Sequence, residues 1–247
     1  MQISKKTLAG IVKNTEIANE VWKNYGSDPG FTKCFHLRPT SGGITVISTL
    51  PYAPMRGREV KTGQKLEALL SALVKKKETL LSTGADVDLA ALLKEEGFSV
   101  KQTKTSAQDA LEDSVQAYFI RGMLAGQSQY RGIQFVGSEL TLERRNRFDV
   151  VGFKEDTLYI FELKKGRTAE ASDQVKGYVD FIAEHKAQFM QVLGIYPSLN
   201  VPGFSDIKGI CVMEYAYNAS KSLVADAKEI GVDIWFYERA LSFVSEL

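Results

Sequence analysis

Within FDVVGFKEDTLYIFELKKG, residues 148–166, Asp149, Glu162 and Lys164 interrupt two runs of apolar, strand-forming residues. Side chains alternate faces along a strand, so Leu158, Ile160, Glu162 and Lys164 share one face and Tyr159, Phe161 and Leu163 the other. Asp149, Val151 and Phe153 likewise share a face. A hairpin turn centred on Glu155-Asp156 sets Phe153 against Leu158, Val151 against Ile160 and Asp149 against Glu162; a one-residue bulge would shift that pairing. Directly opposed carboxylates about 5 Å apart repel by on the order of 3 kcal/mol at an effective dielectric of 20. A retained proton, a neighbouring base or a divalent cation must offset that cost. Lys164 offsets part of it, and a water-facing sheet edge with one ion pair is the plain alternative. The apolar company of Val151, Phe153, Leu158 and Ile160 argues instead for a mostly buried face whose polar residues gather at one end.

The elements that must hold this hairpin follow from hydrophobic periodicity. From residue 109 the pattern predicts a helix (Asp109–Ala125), strands (Gly132–Glu143, Phe148–Phe153, Leu158–Lys164), a helix (Glu170–Leu193), a strand (Ile207–Tyr215), a helix (Ser220–Ile230) and a strand (Val232–Tyr237). A meander followed by βα alternation implies an α/β fold with a mixed central sheet flanked by helices. The first hundred residues predict a smaller α/β module. It holds a helix over Ser4–Tyr25 broken near Lys13-Asn14-Thr15, a hairpin around Thr40–Gly43, a long helix over Gly63–Thr83 and a shorter one over Val87–Glu96. The polar stretch KQTKTSAQ, Lys101–Gln108, marks the boundary, giving domains 1–100 and 101–247.

Two helices carry polar residues beside their apolar stripes. At about 100° per residue, Glu112 falls about 60° from the centre of the Leu111, Val115, Tyr118, Phe119 and Gly122 stripe. Gln174 lies within about 50° of the Val175, Tyr178, Phe181 and Ile182 stripe, which also holds His185, read as a satisfied core-edge histidine.

Composition narrows the class. The 247 residues carry a formal net charge of +1, with 14 Lys/Arg against 10 Asp/Glu in residues 1–100 and 17 against 20 in the remainder. Arg144, Arg145, Arg147, Lys165 and Arg167 flank the acid-bearing strands and are candidate phosphate contacts. A second basic cluster, Arg56–Lys77, has seven Lys/Arg against two acids beside a leucine stripe that fits a packing or homodimer helix equally well. No apolar run reaches the ~18 residues of a membrane span, and MQISKKTLAG lacks a signal-peptide core. A cytoplasmic protein with no membrane partner is the expectation, with Cys34 and Cys211 as free thiols. GREVKTGQK, Gly57–Lys65, has Gln64 where a phosphate-binding loop needs its lysine and is set aside.

Asp149, a twelve-residue gap and then Glu162-Leu163-Lys164 resembles the signature of the PD-(D/E)xK nuclease superfamily. GSELTLERRNRFDVVGF, LYIFELKKGR and QVKGYVDF are most similar to NucS-type and RecB-type nuclease domains. The resemblance spans about residues 105–240, and Phe148 stands in the place of the name-giving proline. It implies a restriction-endonuclease-like core and a Mg²⁺-dependent deoxyribonuclease, an endonuclease on DNA, with Mn²⁺ able to substitute. It further implies Asp149 and Glu162 as metal ligands with the Leu163 carbonyl as a third, and Glu112 near the metal. Lys164 would position or deprotonate the attacking water, and Gln174 would orient water or phosphate. Two alternatives stay open: a catalytically inactive nucleic-acid-binding module on the same fold, and a DNA-targeting helix-turn-helix or dimerisation role for residues 1–100.

Overall fold

Strand alternation does most of the work in building the central sheet. In the computed structural model, Val150, Phe161, Leu163, Ile210, Val212, Trp235 and Tyr237 are buried in one cluster with Val115 and Phe119. Their sequence neighbours Val151, Ile160, Cys211, Met213, Ile234 and Phe236 are buried in the clusters on the opposite face. The sheet is therefore apolar on both faces and needs helices on both. The structure describes residues 4–32, 34–48, 62–82, 89–98, 107–143, 146–164, 170–193, 203–215, 220–237 and 243–244.

Strands β1 (Phe35–Pro39) and β2 (Ile44–Ser48) form a separate antiparallel pair. The six-stranded sheet runs in the order β3 (Gln134–Glu143), β4 (Asn146–Lys154), β5 (Thr157–Lys164), β6 (Asp206–Glu214), β7 (Val232–Tyr237) and β8 (Phe243–Val244). β3, β4 and β5 form an antiparallel meander, β5, β6 and β7 are parallel, and β8 returns antiparallel. This is the mixed, helix-flanked α/β architecture expected from the sequence. Helix α5 (Ala107–Leu124) covers the first face through Val115, Phe119 and Ile120. Helices α6 (Glu170–Glu184) and α7 (Lys186–Leu193) connect β5 to β6 and, with α8 (Ser220–Glu229), cover the second.

Before the sheet come α1 (Lys5–Trp22), α2 (Pro29–Thr32), α3 (Gly63–Ser82) and α4 (Leu89–Glu95). Trp22, Phe31, Phe35, Leu37, Ile44, Val46, Leu66, Leu70 and Leu93 give the first hundred residues a core of their own. The module also docks on the sheet, for Ile11 of α1 is buried in the cluster formed by Val151, Ile160 and Phe189.

Two helices differ from expectation, one unbroken where a break was expected and one divided where none was. α1 is one unbroken 18-residue helix started by Ser4, whose Oγ accepts from the Thr7 N–H. The polar residues that suggested an interruption are satisfied within it: Asn14 Nδ2 donates to the Thr40 carbonyl at 2.7 Å, and Thr15 Oγ1 to the Ile11 carbonyl at 2.7 Å. The helix-turn-helix reading of Ser4–Tyr25 is corrected accordingly. The helix expected over Glu170–Leu193 is instead divided at His185, whose buried ring packs edge-on against Phe181 at 4.6 Å. Among the described residues no helix is long and apolar enough to cross a membrane, and Cys34 and Cys211 are buried free thiols.

Close approach of α6 to β6 depends on Gly209, where an added Cβ would stand 2.4 Å from Val175 Cγ1 and 3.0 Å from Val179 Cγ2. Gly209→Ala should cost about 1–3 kcal/mol in urea denaturation, because the new methyl would overlap the fully buried Val175 side chain. Gly177→Ala on the same helix meets nothing within 4 Å and should instead stabilise by about 0.5–1 kcal/mol.

Candidate functional site

The turn at Glu155-Asp156 holds the register expected from sequence. Lys154 pairs with Thr157, Phe153 with Leu158, Val151 with Ile160 and Val150 with Phe161. Glu155 takes the left-handed conformation, φ 56°, that a two-residue hairpin loop demands. The next positions in this register are Asp149 and Glu162, and there the ladder gives way to side-chain chemistry. Asp149 Oδ2 accepts from the Leu163 N–H at 2.9 Å, so the carboxylate takes a backbone donor at the end of the hairpin. From α5, Gln116 Nε2 donates to the Asp149 carbonyl at 2.8 Å and fixes the backbone of the same residue.

Glu162 and Lys164 share the face of β5 that α6 covers. Lys164 Nζ donates to Glu162 Oε1 at 2.6 Å and to Gln174 Oε1 at 3.1 Å. Gln174 Nε2 donates to the Tyr178 hydroxyl, and the Tyr178 ring stands edge-on to Phe148 at 4.9 Å. The Tyr237 hydroxyl donates to the Lys164 carbonyl at 3.0 Å from the end of β7. The cluster lies at the carboxyl end of the parallel strand β5, the edge at which open α/β sheets place their ligands.

Glu162 is 3% exposed, and its Oε2 is buried without a hydrogen-bond partner. Burial, and then the charge of Asp149, pushes its carboxyl up to about 7; Lys164 and Arg147 pull the other way. For Lys164, burial alone would depress the ammonium, but the Glu162 carboxylate outweighs it and the group ends above its ordinary value. Burial followed by the Glu162 charge raises Tyr178 and pushes the Cys211 thiol, the cross-strand neighbour of Glu162, up to about 12.

A hard divalent cation fits this donor set on one observation: Oε2 is a buried carboxyl oxygen with no hydrogen-bond partner, and a cation there would favour the ionised form that burial disfavours. No group of three or more His, Cys, Asp or Glu able to hold a metal exists among the described residues. The set is therefore two carboxylates with backbone oxygen, suited to an ion that keeps several waters in its shell. Glu112 is described by its backbone alone; its position lies one turn before Gln116 on α5.

Asp149, Glu162, Leu163, Lys164 and Gln174 are thus brought together. Arg147 is exposed, and its charge acts on Glu162. Arg144, Arg145, Lys165 and Arg167 lie outside the described residues. Gln116, Tyr178 and Tyr237 escaped the sequence reading. Gln116 follows Glu112 at the i+4 spacing that shares a helix face, and Tyr178 stands at the same spacing from Gln174, so both signals were present.

The first hundred residues reach the strand that neighbours Asp149. Arg38 of β1 forms an ion pair with Glu139, and His36 Nε2 is 2.5 Å from Ser138 Oγ. Ser138 is the cross-strand partner of Val150, and Glu139 holds a left-handed φ of 49° inside β3. A non-glycine residue keeps such a conformation inside a strand only when its surroundings impose it, and Glu139 is buried and ion-paired with Arg38.

No family model, curated protein or solved structure matches this chain. The class is defined by topology and site: a mixed α/β sheet with a buried glutamate, a half-buried aspartate and a lysine at the carboxyl end of a central strand.

The raised Glu162 carboxyl has a stability consequence. Between its ordinary value of 4.5 and about 7 the folded chain binds more protons at this group than the unfolded chain. Stability from this group therefore falls as pH rises through that window and is level above it. Wild type should lose on the order of 2–3 kcal/mol between pH 5 and pH 8 in denaturant titrations, and Glu162→Gln should remove most of that slope.

Proposed function

We propose that the chain is a divalent-metal-dependent nuclease that hydrolyses phosphodiester bonds in DNA, cutting as an endonuclease. The observation that carries the reading is the partnerless buried oxygen of Glu162, set beside Asp149 and Lys164. Asp149 and Glu162 would hold Mg²⁺ or Mn²⁺, with the Leu163 carbonyl and Glu112 completing the protein's share. When bound, such an ion supplies Lewis-acid charge and an activated water. Lys164, cationic in its ion pair, donates to the attacking water or a phosphoryl oxygen rather than serving as a base. Gln174 holds the ammonium at 3.1 Å, and Tyr178 holds Gln174. Gln116 fixes the Asp149 backbone and the Leu163 amide holds its Oδ2. Arg147, with Arg144, Arg145, Lys165 and Arg167, would contact the phosphate backbone.

One observation favours a second reading, a catalytically inactive nucleic-acid-binding module: Lys164 already neutralises Glu162 without a cation. Calorimetric titration with Mg²⁺ or Mn²⁺ separates the two, since the inactive module takes up no ion and binds DNA equally well after Asp149→Ala.

Cleavage of supercoiled plasmid and oligonucleotide duplexes in Mg²⁺ or Mn²⁺ tests the leading reading. Glu162→Ala and Lys164→Ala should each reduce the rate at least about 100-fold, the scale of a lost charge-stabilising group. Equal rates in all three proteins would remove the assignment.

A further inference from the structure

Residues two apart on a regular strand share a face, and on β4 that rule fails at one step. Val150 is buried in the cluster with Val115 and Phe119 of α5. Phe148 is buried in the cluster on the opposite face, with its ring against Tyr178 and Phe189. Leu140 of β3, the cross-strand partner of Phe148, lies in that second cluster too. Both strands advance by two residues between the pairs Ser138–Val150 and Leu140–Phe148, so neither carries an inserted residue there. The two strands therefore turn over together, and the residues at the turning point are Glu139 on β3 and Asp149 on β4.

Glu139 carries the backbone signature of that turn, its left-handed φ of 49°. Glycine takes such a conformation freely, whereas a residue with a Cβ holds it at a cost. The Glu139 side chain is buried and ion-paired with Arg38 of β1, and a carboxylate so far out of water depends on such a partner. On β4 the outcome is visible at Asp149. A regular strand stands its side chains off the sheet, but Asp149 Oδ2 reaches across to accept from the backbone N–H of Leu163 on β5 at 2.9 Å. Backbone irregularities beside functional sites re-aim side chains in this way.

We propose that Arg38 is a positioning residue for Asp149. Its ion pair with Glu139 holds the left-handed turn of β3, and that turn holds β4 so that the Asp149 carboxylate meets the Leu163 amide. The first hundred residues thereby act on the carboxylate site through β3. The assignment rests on the nuclease reading in taking Asp149 as a metal ligand, but the contact it explains, Asp149 on the Leu163 amide, needs neither ion nor substrate.

Amide hydrogen exchange, followed by NMR on the full chain without metal or DNA, reads the Leu163 N–H directly. Arg38→Met should speed exchange at Leu163 about tenfold relative to the amides of β6 and β7, the scale of one weakened hydrogen bond. Glycine accepts a positive φ without strain, so Arg38→Met combined with Glu139→Gly should return Leu163 to the wild-type rate although the ion pair is gone. A contact that merely stabilised the fold would give no such return. If Arg38→Met fails to fold, two single variants decide: Glu139→Gln should loosen Leu163 as Arg38→Met does, and Glu139→Gly should leave it protected. Unchanged Leu163 exchange in Arg38→Met or Glu139→Gln, or no protection restored by glycine, overturns the assignment. A wild type that cuts no DNA would instead remove the nuclease reading and leave the exchange result standing.

Discussion

A carboxylate buried in an apolar sheet beside a second carboxylate is the constraint around which this structure is arranged. Glu162 has almost no contact with water, and Asp149 adds its charge to the cost of ionising it. Every neighbouring polar group answers part of that cost. Lys164 meets one oxygen of Glu162, Gln174 accepts from the lysine and donates to Tyr178, and the Leu163 amide meets Asp149. One oxygen is left over, and a buried carboxyl oxygen without a partner is costly unless a proton or a bound ion occupies the place.

The surrounding frame keeps that arrangement in place. α5 and α6 approach the sheet from opposite faces, and each delivers a glutamine to the site: Gln116 to the Asp149 backbone, Gln174 to Lys164. Gly209 lets α6 lie close enough for its glutamine to reach. On the far side of the meander, the Arg38 ion pair and the His36 contact hold β3 where it backs β4. The first hundred residues therefore support the hairpin as well as their own core.

Much of this was legible in the sequence because strand alternation has an invariant period. The two-residue turn fixed the register, and the apolar residues on either side of Glu162 marked it as buried. Lys164 and Gln174 followed from strand and helix spacing. What local pattern could not show was tertiary compensation. Asn14 and Thr15 look like helix breakers until Thr40 and the Ile11 carbonyl are seen to satisfy them. The division at His185 escaped notice because the apolar stripe runs on through it. The pairing of His36 and Arg38 with Ser138 and Glu139 joins residues a hundred positions apart, beyond any periodicity.

The central proposal is that buried Glu162 and its neighbour Asp149 are placed to receive a divalent cation. Carbon NMR of selectively labelled glutamate, following the Glu162 carboxyl across pH 4 to 9 with and without Mg²⁺, tests it directly. Without the ion the carboxyl should titrate near 7. With it the titration should move well below that value, saturably, and the movement should vanish in Asp149→Asn. A Glu162 titration that is the same at every Mg²⁺ concentration would contradict the account.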